Sequence, residues 1–239
     1  MGLSPEQIAG RLALEYGRPL ISHESIYRFI YHRSAQKDYW HRLLPRAKNR
    51  RGRFGKRGGS SANFIRNRMA LSERPAHADD RRTPGHWEAD LMAFSRYGHY
   101  LLCTHERTSR LITIELLPDK TAATVRDSLL ERFRKVPAPL RLSLSLDNGT
   151  EFAEHHVLKR RRKLDTYFCD PHSPWQKGGI ENAIGRMRRG LPRKTDLARL
   201  APEELKRMVE QYNTIPRKCL AFQTPKEVFS KAKRVALQS

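Results

Sequence analysis

A chain of 239 residues is long enough for one ordinary domain and a smaller module. Its formal net charge of +22 and pI near 10.5 exclude a neutral enzyme and point to a polyanion as partner, nucleic acid ahead of a membrane surface. Three cysteines, Cys103, Cys169 and Cys219, stand far apart with no CxxC pair, which excludes a disulfide framework and a zinc ribbon. No apolar run approaches the roughly 18 residues of a membrane-spanning helix, and no signal peptide is visible, so a soluble, cytoplasmic protein is expected.

Residues 1–40 read as a small helical region. Ser4, Pro5 and Gln7 form a capping box with proline in the first turn, and Ile8 and Leu12 mark a buried stripe running to Gly17. Ser22 caps a second helix with Ile26, Phe29 and Ile30 inside, leaving His23, Glu24, Tyr27 and Arg28 outside as a set able to read a DNA groove. Two helices this short bury too little to stand alone, so a preceding helix or some other support is expected. Residues 41–79 read as a flexible basic tether. Between Arg42 and Arg68 stand ten Lys or Arg and no acid, with Gly and Ser interspersed. Within it Lys48, Arg50, Arg51 and Arg53 are candidates to neutralise DNA phosphates.

From residue 80 to 239 the pattern is that of a single α/β domain. In HWEADLMAF, Trp87, Ala89, Leu91 and Ala93 face one way while His86, Glu88 and Asp90 face the other, so Asp90 is an acid in mid-strand. HYLLCTHE and LITIELL complete an antiparallel meander of three strands. Lys120 to Lys135 is an amphipathic helix with Val125, Leu129 and Phe133 inward, ended by Pro137 and Pro139. A strand alternating Leu140, Leu142, Leu144 and Leu146 then delivers Asp147 at its carboxyl end, where Asn148 and Gly149 turn the chain. A helical stretch from Ala153 to Arg162 and a strand from Thr166 to Cys169 follow, then helices over Glu203–Tyr212 and Pro225–Lys231. If the first and fourth strands are neighbours, Asp90 lies beside Asp147.

Ser173 to Gly179 read as a loop leading into a helix whose Ile180, Ala183, Ile184, Met187 and Leu191 form one apolar face. Glu181 is then on the solvent side of the first turn, Arg188 returns to the same stripe, and Gly185 between them leaves room for a close backbone such as DNA. A carboxylate, a gap and a guanidinium in line suit a metal followed by a phosphate. Lys177 and the neighbouring Trp175 and Gln176 are candidate DNA contacts, the Trp by stacking.

HWEAD around Asp90, DNGTEF at Asp147, DPHSPWQKGGIEN ending at Glu181 and the closing PRKCLAFQTPKEVF together resemble the insertion-sequence family numbered thirty. The opening SPEQIAGRL with ISHESIYRFIY is similar to that family's helix-turn-helix region. The resemblance implies a DDE transposase with an RNase H-like integrase core and Asp90, Asp147 and Glu181 as catalytic acids. It also implies two Mg²⁺ ions held by those acids, with Mn²⁺ able to substitute, and double-stranded DNA, both inverted-repeat ends and target, as substrate. A homo-oligomer on DNA is expected by analogy. Two features depart from the family: Ile180 stands where it usually has Asn, and the family generally has further sequence, including another helix-turn-helix, ahead of SPEQIAGRL. The alternative to a transposase is a truncated, non-catalytic DNA-binding repressor of transposition.

Overall fold

The computed structural model describes residues 2–32, 40–43, 65–94, 99–170 and 173–238. They fall into two compact units, Met1–Arg57 with Thr214–Val228 and Gly58–Asn213 with Phe229–Ser239. Lys48, Arg50, Arg51 and Arg53 lie outside the described residues.

In the first unit, α1 (Pro5–Tyr16) begins with the expected capping box: the Ser4 hydroxyl accepts from the Gln7 amide and the Gln7 side chain accepts from the Ser4 amide. Gly17 ends it in the left-handed conformation at φ 67. Ser22 caps α2 (His23–Ile30) as read from sequence. Phe29, expected inside, is instead 60% exposed, and no residue of α2 is buried. Eight residues carry only two turns of apolar spacing, too little to fix which side is covered. Support comes from the far end of the chain. The Gln7 amide group donates to the Pro216 carbonyl, the Arg11 guanidinium forks onto the Glu227 carboxylate, and Gly10 leaves room for the Phe222 ring.

The second unit is a five-stranded sheet. Its strands are β1 (His86–Ala93), β2 (Tyr100–Glu106), β3 (Ile112–Leu117), β4 (Ser143–Leu146) and β5 (Asp165–Phe168), in the order β3-β2-β1-β4-β5. The meander β1-β2-β3 is antiparallel, and β4 and β5 run parallel to β1. The parallel additions require crossovers, supplied by α3 (Ala122–Arg134) before β4 and α4 (His156–Arg162) before β5.

Two apolar layers sandwich the sheet. On one face Trp87, Ala89, Leu102, Leu144, Leu146 and Phe168 pack with Val125, Leu129 and Phe133 of α3 and Leu158 of α4. Trp87 anchors this layer. Its ring meets Phe133 edge-on at 5.4 Å and its indole N–H donates to the Leu140 carbonyl at 2.8 Å. On the other face Met92, Leu101, Cys103 and Ile112 pack against Ile180, Ala183 and Met187 of α5 (Gly178–Met187) and Tyr212 of α6 (Pro202–Asn213). Each buried Val, Leu, Ile, Phe or Met among them contributes roughly 1.5–3 kcal/mol by leaving water.

Several expectations are corrected. His86 and Glu88 face away from Trp87, and because β1 is an interior strand covered on both faces they are buried. The last helix, α7, runs Pro225–Gln238 rather than stopping at Lys231, and its Phe229, Ala232 and Ala236 pack on the Trp87 layer. Residues 65–78, assigned to the tether by composition, lie on the sheet. Ile65 joins the core, Met69 accepts a backbone hydrogen bond from Phe168, and Arg74 donates to the Ser145 hydroxyl.

Candidate active site

The parallel pairing of β1 and β4 sets the geometry. Glu88 lies opposite Ser145, so two residues on, at the same level, Asp90 lies beside Asp147. β4 stops at Leu146, and the Gly149 amide donates back to an Asp147 carboxylate oxygen at 3.3 Å. Asn148 holds the strand ends together, donating to the Cys169 carbonyl and accepting from Arg68. The acids thus come from rigid elements, Asp90 within a central strand and Asp147 at the first position after its neighbour.

Lys177 reaches between them. Its ammonium stands 3.4 Å from Asp90 Oδ2 and 3.2 Å from Asp147 Oδ2, with the side chain 7% exposed. Burial works against the Lys177 charge, but Asp90 and Asp147 outweigh it and raise its pKa above the ordinary value. Asp90 is pushed up by burial, with Lys177 opposing and Asp147 adding to the rise. Two carboxylates forced together in a poorly solvated place demand a cation there. Lys177, read from sequence as a DNA contact, answers that demand here and is not a surface residue.

Glu181 is in the first turn of α5, on its exposed side, as expected. Partial burial raises its carboxyl, with Lys177 opposing and Glu88 adding to the rise. It does not join the other two acids closely: among the described residues no three His, Cys, Asp or Glu side chains gather tightly enough to hold a metal ion. The structure therefore brings together Asp90 and Asp147, and carries Glu181 on the helix whose preceding turn supplies Lys177.

Glu88 fixes that helix to the sheet. It is 1% exposed and accepts from Arg107 Nη1 at 2.9 Å and from the Ile180 amide at 2.6 Å, with His105 Nδ1 3.6 Å away. Burial alone would raise the Glu88 carboxyl, but His105, Arg107 and the Ile180 amide together hold it below the ordinary value. The Ile180 amide is one of the free donors of the helix start, and Glu181 is the next residue. Gly179 permits the approach, because a Cβ there would lie 2.6 Å from Glu88 Oε2. Sequence reading missed Glu88; its signal was an acid two residues before Asp90 on the same face of an apolar strand.

The remaining candidates are distributed around this centre. Trp175 is 74% exposed in the 3-10 turn Pro174–Lys177, where Gln176 exchanges two hydrogen bonds with Asp170 and closes the loop. Arg188 donates to the Ala93 carbonyl at 2.7 Å and lies over the Phe94 ring, so its guanidinium is engaged by the end of β1. An added Cβ at Gly185 would meet nothing within 4 Å, so that stretch of helix is open. In the helical unit Arg28 is exposed and Tyr27 stacks on Tyr31. Cys103 and Cys169 are buried core residues and Cys219 is exposed.

A mixed sheet in this order, with acids on its central strand, after the neighbouring strand and on the helix that follows β5, defines an RNase H-like integrase core. Residues 80–174 match the family model described as Integrase core domain. The chain is 38% identical over 97% of its length to Transposase InsI for insertion sequence element IS30A of Escherichia coli (strain K12), and spans 62% of that protein. It is 34% identical to the transposase for IS1086 of Cupriavidus metallidurans and 32% to that for IS4351 of Bacteroides fragilis. It covers 68% and 69% of those two chains. The chain belongs to this IS30-type family of insertion-sequence transposases.

Proposed function

We propose that this chain carries the catalytic part of a transposase that nicks DNA at the ends of its element and joins the freed ends to target DNA, in the cytoplasm and on the nucleoid. The carrying observation is the pairing of Asp90 with Asp147 at one level of two parallel strands, with a single ammonium drawn between them. The arrangement suits a divalent cation: the donors are hard carboxylate oxygens and the place already attracts positive charge. Asp90, Asp147 and Glu181 would hold a pair of Mg²⁺ ions, with Mn²⁺ as a substitute. Bound divalent cations supply charge neutralisation at phosphorus and a nucleophile at neutral pH.

What the protein itself contributes is position. β1 and β4 hold two carboxylates on rigid backbone, and the Glu88 contact to the Ile180 amide sets the turn that bears the third. In the first reaction a water oxygen attacks an end phosphate in line, the P–O3′ bond breaks and the 3′-oxygen leaves as a hydroxyl. In the second, that 3′-hydroxyl attacks a target phosphate and a target P–O bond breaks, so no covalent enzyme intermediate is required. The net charge of +22 supplies general affinity for the phosphate backbone. Tyr27 and Arg28 of α2, the basic run containing Lys48, Arg50, Arg51 and Arg53, and Trp175, Gln176 and Arg188 near the acids complete the proposed DNA contacts, made by more than one copy of the chain.

The test is Asp147→Ala assayed on a plasmid bearing the element's own termini. End cleavage and strand transfer should be lost in Mg²⁺ and in Mn²⁺ while DNA binding in a gel-shift persists. Joined products made by the variant would remove Asp147 from the site. Binding without cleavage by the unaltered chain would leave a non-catalytic repressor.

A further inference from the structure

A polar cavity of about 520 Å³ is lined by Arg74, Arg81, Arg107, Trp175 and Gln176 together with Asp79 and Asp170. One 3-10 turn serves both the cavity and the acids. Trp175 and Gln176 face the cavity, while Lys177, the next residue, reaches Asp90 and Asp147. A ligand in the cavity is therefore tied by a single turn of backbone to the reacting centre.

The lining has the chemistry of a nucleotide site. Trp175 is the most exposed large apolar side chain among the described residues at 74%, and its indole offers a flat face at the rim. Arg74 and Arg107 are buried and partly neutralised by Asp79, yet the Nε of each has no hydrogen-bond partner among the described residues. Arg81 is exposed at the wall. Arg107 also pairs with the buried Glu88 and Arg74 with Asp79, so the exposed Arg81 is the guanidinium best placed to meet a phosphate. The volume is in the range of roughly 300–1,000 Å³ that encloses a small ligand, room for one base and its sugar and far too little for a duplex.

We propose that this cavity receives one unpaired nucleotide of the DNA strand, extruded beside the phosphate under attack, its base stacked on the Trp175 indole and its phosphate drawn to Arg81. Extrusion costs a few kcal/mol of stacking and pairing, which the aromatic face offsets. The inference rests on the reading of the chain as a DNA-processing enzyme, but it can fail while that reading stands.

The test uses the full chain and a short oligothymidylate single strand, with a duplex of equal length as control, at about 0.3 M salt to suppress the general phosphate contribution. The chain has three tryptophans, of which Trp87 is wholly buried, so quenching of intrinsic fluorescence by a bound base arises from Trp175 or Trp40. Quenching should persist in Trp40→Phe and vanish in Trp175→Phe. Trp175→Ala should weaken single-strand binding about 5- to 150-fold, the equivalent of the ~1–3 kcal/mol of one base–aromatic stack, and Trp175→Phe should restore part of it. Duplex affinity should fall by a clearly smaller factor than single-strand affinity, because a paired base cannot enter the cavity. Arg81→Ala should lower the slope of log affinity against log salt by about one. Unchanged single-strand affinity in Trp175→Ala, or a quench surviving in Trp175→Phe, overturns the nucleotide pocket alone. Failure of the unaltered chain to bind either DNA overturns the DNA-processing reading as well.

Discussion

The two units of this chain use charge in opposite ways. In the sheet unit, besides surface pairs such as Arg134 with Glu131, some charged groups are taken out of water beside a partner: Glu88 lies against Arg107, and Lys177 lies between Asp90 and Asp147. In the helical unit the pairs are at the surface, Arg11 with Glu227 and Lys218 with Glu6. A buried ion pair is weak evidence for stability, since desolvation cancels most of its attraction, but losing one partner strands the other. An exposed pair is worth little and is screened by salt. The contrast teaches that the interior charges of the sheet unit set position, while those of the helical unit only trim the fit of α1 against its neighbours.

Asp90→Asn should lower end cleavage on the order of 10³-fold or more, as expected when several kcal/mol of transition-state charge stabilisation is removed. Steady-state nicking of a plasmid measures it, and a loss under tenfold would put Asp90 outside the reacting centre. Next in size is Glu88→Ala, which strands the Arg107 charge and frees the Ile180 amide, for a cost of about 3–5 kcal/mol in a denaturant melt. Glu88→Gln should cost less, because its amide oxygen still accepts from Ile180. A cost below about 1 kcal/mol for the alanine variant would mean that the interior charge is no better than a surface one.

His86 sharpens the contrast through pH. Burial first, with the nearby charges of His77, Arg74 and Arg107, depresses its pKa from 6.5 to about 4, and its Nδ1 pairs with the Ser143 hydroxyl at 2.7 Å. A histidine kept neutral in the fold binds its proton more readily when unfolded, so this contribution is complete above pH 6.5 and lost as pH falls towards 4. The melting temperature should fall over that window, and His86→Gln should flatten the fall. The smallest effect belongs to the helical unit: Arg11→Ala should cost about 1 kcal/mol or less, and the difference should fade at high salt. A larger, salt-independent cost would place that pair among the interior charges.

Much of this arrangement was legible in the residues. The Ser4–Gln7 capping box and the meander from His86 to Leu117 rest on local rules of capping and alternation, which the fold did not override. Asp147 does follow a strand, but that strand begins only at Ser143, with Leu140 in a 3-10 turn and both faces covered. What was not legible depends on what covers what. A period of two assigns Glu88 and Asp90 to one face of β1, but it does not say that α5 covers the Glu88 end and leaves Asp90 at the margin. Lys177 looks like any loop lysine, because its burial follows from convergence of two carboxylates distant in the chain. Residues 65–78 look like tether because charge and glycine dominate nearby, and their attachment to β5 and β4 runs through single backbone and side-chain hydrogen bonds. Phe29 shows the converse, since a regular apolar spacing in a two-turn helix did not secure burial.

Asp90, Asp147 and Glu181 are proposed to serve one cation site, with the first two already against a common positive charge. Titration of Mn²⁺ into the full chain, followed by electron paramagnetic resonance, tests this directly. The prediction is saturable binding by the unaltered chain, weakened at least about tenfold by each of Asp90→Asn, Asp147→Asn and Glu181→Gln, since even groups that merely support metal ligands cost that much when removed. Affinity that stays unchanged in the three variants would contradict it.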